Sequence, residues 1–196
     1  MIVVDVETTG TDPRYHSLVS IGAIDFENPA DTFYRECYVF DGARIEEKAL
    51  QINGMTEAEL YDKSKPSEAD ILKEFIVWMR NKKDHTFAGQ NVSFDVAFII
   101  AAAERAQTNV SIAHRVVDLH SITYFHMSRR GIVPPLAHGR TDLDSDKIME
   151  YVGIPAEPKP HVAINGAKWE AEAFSRLFNE KSMFPELNSF KIPWIK

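Results

Sequence analysis

Apolar and polar positions along this chain change period several times. Residues 2–6, IVVDV, form an apolar run broken by one acid, the pattern of a buried strand. SLVSIGAIDF (17–26) and TFYRECYVF (32–40) read as two more strands, and the turn-rich ENPAD between them predicts a hairpin. The period then lengthens. Ile71, Leu72, Phe75, Trp78 and Met79 share one face of a helix ending near Arg80, opened by a Ser67–Asp70 capping box; Thr56 and Glu59 form another such box. HTFAG (85–89) is a short strand, 93–106 a mostly apolar and hence buried helix, and HRVVDL (114–119) a strand running into a helix near 120–129. Helices are expected at about 143–151 and 166–179, joined by EPKPH. Residues 129–145, with two Pro and two Gly, read as a long loop. Three strands followed by alternating strands and helices predict an α/β domain with a central mixed sheet flanked by helices.

Composition narrows this picture. A chain of 196 residues that is 44% hydrophobic can bury one sizeable core. We expect one domain over residues 1–180, with the irregular, apolar tail 181–196 docking on it or on a partner. A single cysteine, Cys37, excludes an internal disulfide and a cysteine zinc cluster, and fits a reducing, cytoplasmic compartment. The acidic start does not fit a signal peptide, and VAFIIAAA (96–103) is too short to span a membrane. A net charge of −7 argues against a nonspecific nucleic-acid binder. It is compatible with an acidic site whose charge is neutralised by cations.

Such a site is suggested by VVDVETTG (3–10). On a strand, residues two apart face the same way, so Asp5 and Glu7 share a face while Val4 and Val6 pack on the other. Two carboxylates so close repel, and one takes up a proton unless a cation lies between them; hard divalent ions with oxygen ligands satisfy such a pair. Asp95 adds an acid in the first turn of an apolar helix, with Asn91 and Ser93 as candidate caps and Phe94 and Phe98 holding that turn to the core. His161, in a loop before a helix, is a candidate general base because its ordinary pKa is near neutrality.

DVETTG, NVSFDVAF and HVAINGA, in that order and spacing, resemble the three motifs of the DEDDh 3′–5′ exonucleases. ALQINGMTEAEL resembles the family's segment after the third strand. The resemblance implies an RNase H-like fold and two divalent cations, Mg²⁺ or Mn²⁺, held by Asp5, Glu7 and Asp95. It implies His161 as general base and release of nucleoside 5′-monophosphates from single-stranded DNA or RNA 3′ ends. Thr8, Thr9, Gly10, Asn91 and Phe94 match positions near the substrate. Family members that dimerise suggest a homodimer, and the apolar tail from Met183 to Lys196 with the 129–145 loop suggests a polymerase or repair partner.

The third motif departs from the family pattern: Gly166 stands where the fourth acid belongs. Glu170 lies four residues on, one helical turn away on nearly the same face, and helical side chains lean toward the N-terminus. Glu170 is therefore expected to supply the fourth carboxylate as a catalytic metal ligand, and a Gly166→Asp change to leave activity intact or raise it. Glu172, about 200° round the helix, should face elsewhere. The alternative is an impaired exonuclease fold that binds nucleic acid, or serves as a partner subunit, without cutting it. Arg129, Arg130, His138 and Arg140 are the basic residues of the long loop available to a nucleic-acid strand.

Overall fold

The computed structural model describes residues 1–108, 112 and 115–195. Five strands form one mixed sheet: β1 (Ile2–Thr8), β2 (Leu18–Asp25), β3 (Thr32–Glu36), β4 (Phe87–Gly89) and β5 (Val116–Asp118), in the order 3-2-1-4-5. The first three pair antiparallel, while β1–β4 and β4–β5 are parallel. β1 is therefore the strand where direction switches. The register against β2 slips after Glu7, which pairs with Ser20 while Thr8 pairs with Leu18. The extra residue, Val19, belongs to β2 and lies opposite the end of β1, just past its second acid.

Seven helices cover the sheet among the described residues: α1 (Glu47–Asn53), α2 (Glu57–Leu60), α3 (Glu68–Arg80), α4 (Ser93–Arg105), α5 (Leu119–Arg129), α6 (Ser145–Val152) and α7 (Ala163–Asn179). Both expected capping boxes form, at Thr56–Glu59 and Ser67–Asp70. Ile2, Val4 and Val6 pack with Phe75, Phe98 and Ile99 of α3 and α4, whereas Val3 packs with Ala167, Ala171 and Phe174 of α7 on the other face. Asp5 and Glu7 alternate with the first set and so point to the α7 side.

Several boundaries differ from expectation. The long loop contains a small hairpin, β6 (Leu136–Ala137) with β7 (Arg140–Thr141). Neither Asn91 nor Ser93 caps α4: Val92 is its N-cap, and Asn91 sits in a left-handed conformation at φ 53°. The expected strand start at His114 falls outside the described residues, and β5 begins at Val116. α7 starts a turn earlier than predicted, because Ala163 and Ala167 give its first turn a small apolar face that packs on the sheet despite the helix-weakening Gly166.

The C-terminal segment lies against α6 and α7. Fully buried Arg176 donates to Glu172 Oε1 (2.6 Å) and to the carbonyls of Val152 (3.1 Å) and Leu187 (2.9 Å). Glu172 accepts from the Met183 and Phe184 amides and the Ser182 hydroxyl. A buried pair in which every nitrogen and oxygen makes a hydrogen bond ties residues 182–187 to the domain, and Phe184 and Leu187 are buried there. Glu172 thus faces away from the acids of β1. No helix among the described residues is long and apolar enough to cross a membrane.

Candidate active site

The acids gather where β1 ends between β2 and β4. Asp5 pairs with Gly22 across the sheet, and Gly22 lets α7 come close: a Cβ there would lie 2.2 Å from the Ala163 carbonyl carbon. The first turn of α7 is thereby laid beside Asp5. One turn along, a Cβ on Gly166 would lie 2.4 Å from Asp5 Oδ2 and 2.8 Å from its Cγ. The space a side chain at 166 would take is occupied by the Asp5 carboxylate. An aspartate at 166 therefore requires the Asp5 side chain to shift.

Glu170 comes from the next turn of α7. It is buried, and its Oε2 has no hydrogen-bond partner. That oxygen lies 3.0 Å from where a Cβ on Gly89 of β4 would be. Asp95, buried in the first turn of α4, accepts from the Val6 amide at 2.9 Å, which docks α4 on β1 between its two acids.

The electrostatics follow from this crowding. Burial, then Glu170, Asp95, Glu7 and Glu157 in that order, push the Asp5 carboxyl well above the usual carboxylate range. Burial and then Glu157 raise Glu7 to about 8. Burial raises Asp95 to about 8 against the opposing pull of the Val6 amide, with a smaller upward push from Glu7. Glu170 is raised by burial and then by Asp95, with the Gln90 backbone amide pulling the other way. Each acid is raised by burial and by like charge, so ionisation of the set is disfavoured unless a cation offsets it. Among the described residues no three such side chains converge on one point at ligating distance. The set nevertheless fits a hard divalent cation: the donors are all carboxylate oxygens, and one buried oxygen is unpaired.

The predicted substrate residues divide. Glu7, Thr8, Gly10 and Phe94 line a cavity of about 280 Å³ beside the acids, together with Lys48 and Ile52 of α1. Thr9 does not line it: its buried hydroxyl donates to the Arg44 carbonyl and accepts from the Ser17 amide, holding the loop rather than a ligand. At Gly10 the close approach is made by the ring of His16, 2.3 Å from a would-be Cβ, and His16 Nε2 lies 3.2 Å from Glu46. Asn91 lines a separate cleft with Asp118, His120 and Arg140.

His161 stands just before the N-cap of α7, its side chain 29% exposed, with Nδ1 3.6 Å from Glu157 Oε2. Glu157 was not legible as a site residue. It sits in an irregular segment, where a spacing of four implies no shared face. Lys48 and Ile52 were missed because the short helix carrying them shows no clear apolar period.

Known proteins bear on this arrangement. Residues 2–174 match the exonuclease family model of the RNase T type. Ribonuclease T of Hahella chejuensis is 30% identical over 192 residues, covering 91% of this chain and 83% of the relative. That of Vibrio campbellii is 26% identical over 193 residues, covering 91% and 85%. Among solved structures, cell-death related nuclease 4 aligns with a TM-score of 0.71 at 15% identity, over 92% of this chain and 64% of its own. E. coli exonuclease I in complex with a dA16 oligonucleotide aligns with a TM-score of 0.69 at 18% identity, over 91% of this chain and 41% of its own. These nucleases are longer, and the likeness to them is one of fold. The family match over most of the chain, with the mixed sheet that carries it, makes this protein a member of the exonuclease family typified by ribonuclease T, and a 3′–5′ exonuclease.

Proposed function

We propose that this exonuclease removes nucleoside 5′-monophosphates one at a time from single-stranded 3′ ends, using two divalent cations, Mg²⁺ or Mn²⁺. The observation that carries this reading is the gathering of Asp5, Glu7, Asp95 and Glu170, all with raised pKa values, at the end of β1. These four would hold the cations, which when bound activate a water and offset charge on the departing 3′-oxygen. His161 takes the water's proton; the resulting hydroxide attacks phosphorus in line, the P–O3′ bond breaks, and the freed 3′-oxygen takes a proton from solvent. The terminal nucleotide lies in the cavity of Thr8, Ile52 and Phe94, whose apolar walls suit a base and whose Lys48 suits a phosphate. A non-cutting binding module rested on Gly166 alone, and the placement of Glu170 supports the enzyme instead.

Digestion of 5′-labelled single-stranded DNA and RNA with Mg²⁺ or Mn²⁺ tests the reading. A ladder shortening from the 3′ end is expected, lost with EDTA and in an Asp5→Asn control purified identically. No cleavage of either polymer with either metal contradicts it.

A pH effect follows. The carboxyls of Glu7 and Asp95 are raised to about 8, above their unfolded values, so between about pH 4.5 and 8 the folded metal-free protein binds more protons than the unfolded chain. Its stability is therefore expected to fall as pH rises through that window. Saturating Mn²⁺ should displace those protons, raise Tm and flatten the slope. Melting curves at pH 5, 6.5 and 8 with and without Mn²⁺ check this; an unchanged Tm with metal at pH 8 contradicts it.

A further inference from the structure

Glu157 is a fifth acid at this site, and it comes from outside the three motifs. Its side chain is only 9% exposed, and its Oε2 lies 3.6 Å from His161 Nδ1. Its other oxygen, Oε1, accepts from the Val162 amide at 3.4 Å, the residue next to the histidine. The carboxylate thus bridges the ring and the backbone that carries it. Its charge also reaches Asp5, Glu7 and Glu170.

The same loop is tied at its other side. The His161 amide donates to the Ile52 carbonyl at 3.1 Å. Pro160 lies against Gly54, 2.6 Å from a would-be Cβ. Ile52 also lines the cavity proposed for the terminal nucleotide. The histidine backbone is therefore fixed to the wall of that cavity, and only ring rotation and tautomer remain to be set.

Building on the exonuclease reading above, we propose that Glu157 is the positioning residue for His161, turning its Nδ1–H toward the carboxylate so that Nε2 faces the attacking water. A separation of 3.6 Å is longer than a hydrogen bond, and such contacts tighten when substrate closes a site. An acid on one ring nitrogen sets the tautomer and orientation of the other, and offsets the imidazolium charge. In the step itself one water proton moves to Nε2, Nδ1–H stays on the ring facing Glu157, and the Nε2 proton later passes to solvent.

Glu157→Gln keeps the shape and removes the charge; Glu157→Asp keeps the charge and shortens the reach. With the full chain, Mn²⁺ and a labelled oligonucleotide, Glu157→Gln is expected to lower kcat by about 10- to 100-fold, less than loss of a general base, with KM within about twofold. Glu157→Asp should recover part of the loss. Nitrogen-detected histidine spectra, with His161 assigned through a His161→Gln variant, should show the Nδ1–H tautomer in the native protein and a mixture in Glu157→Gln. Native kcat in Glu157→Gln overturns the proposal. So does a loss of Mn²⁺ affinity in proportion to kcat, which would make Glu157 a ligand, and so does an Nε2–H tautomer at His161 in the native protein. If the native protein cuts nothing, the exonuclease reading fails, and the tautomer spectrum still decides the placement of the ring.

Discussion

Glu170→Gln is expected to give a folded protein whose hydrolysis is slowed by on the order of 10²–10³-fold, the scale of losing one charge-stabilising group at a reaction centre. The replacement has nearly the same volume, so packing along α7 should be undisturbed. The native Oε2 has no hydrogen-bond partner to lose. In the metal-free protein the change removes an acid whose ionisation burial and Asp95 disfavour, so Tm without metal should hold or rise. With Mn²⁺ the native protein should gain stability and the variant should gain less, because one oxygen ligand is missing. Stability and activity therefore move in opposite directions, a combination that a purely structural glutamate does not produce. Melting curves with and without Mn²⁺, alongside steady-state rates, measure both. A variant as active as the native protein would show that Glu170 is a bystander and leave the place of Gly166 to another oxygen.

How much of this was legible beforehand depended on whether a residue's partners were local. Asp5 and Glu7 could be paired from the sequence because a strand repeats every two residues, and the neighbouring valines fixed which face was core. Glu170 could be linked to Gly166 because both lie on one helix. The contacts that complete the site are long-range and have no period. Gly22 admits the first turn of α7 to the sheet, but nothing in SLVSIGAIDF says that a helix more than a hundred residues later will lie there. Thr9 shares its motif with Thr8 and Gly10, which line the cavity, but its hydroxyl is engaged by Arg44 and Ser17, across a loop whose path the sequence does not reveal. Asn91 looked like a cap by residue type, yet the left-handed turn it adopts passes the N-cap to Val92. Glu157 sits among prolines with no helical or strand period, so only the folded loop brings it to His161.

Gly166→Asp, which restores the family's missing acid, is expected to lower activity by about 100-fold rather than improve it. The reason is steric before it is electrostatic: a side chain at 166 begins 2.4 Å from Asp5 Oδ2, so the Asp5 carboxylate has to leave its place. The new carboxylate then adds charge to a cluster already raised by burial and by mutual repulsion. Gly166→Ala isolates the steric part, since it adds the Cβ without the charge, and should cost less. The double variant Gly166→Asp/Glu170→Gln returns the carboxylate count to four and relieves the repulsion that Asp5 would feel from two directions. It should be at least tenfold more active than Gly166→Asp alone, even though Glu170→Gln by itself is damaging. Residues that share one site couple in this way, and the sign of the coupling identifies what they share. Losses that simply multiply in the double variant would mean that positions 166 and 170 act independently, and that Glu170 does not stand in for the acid the helix lacks one turn earlier.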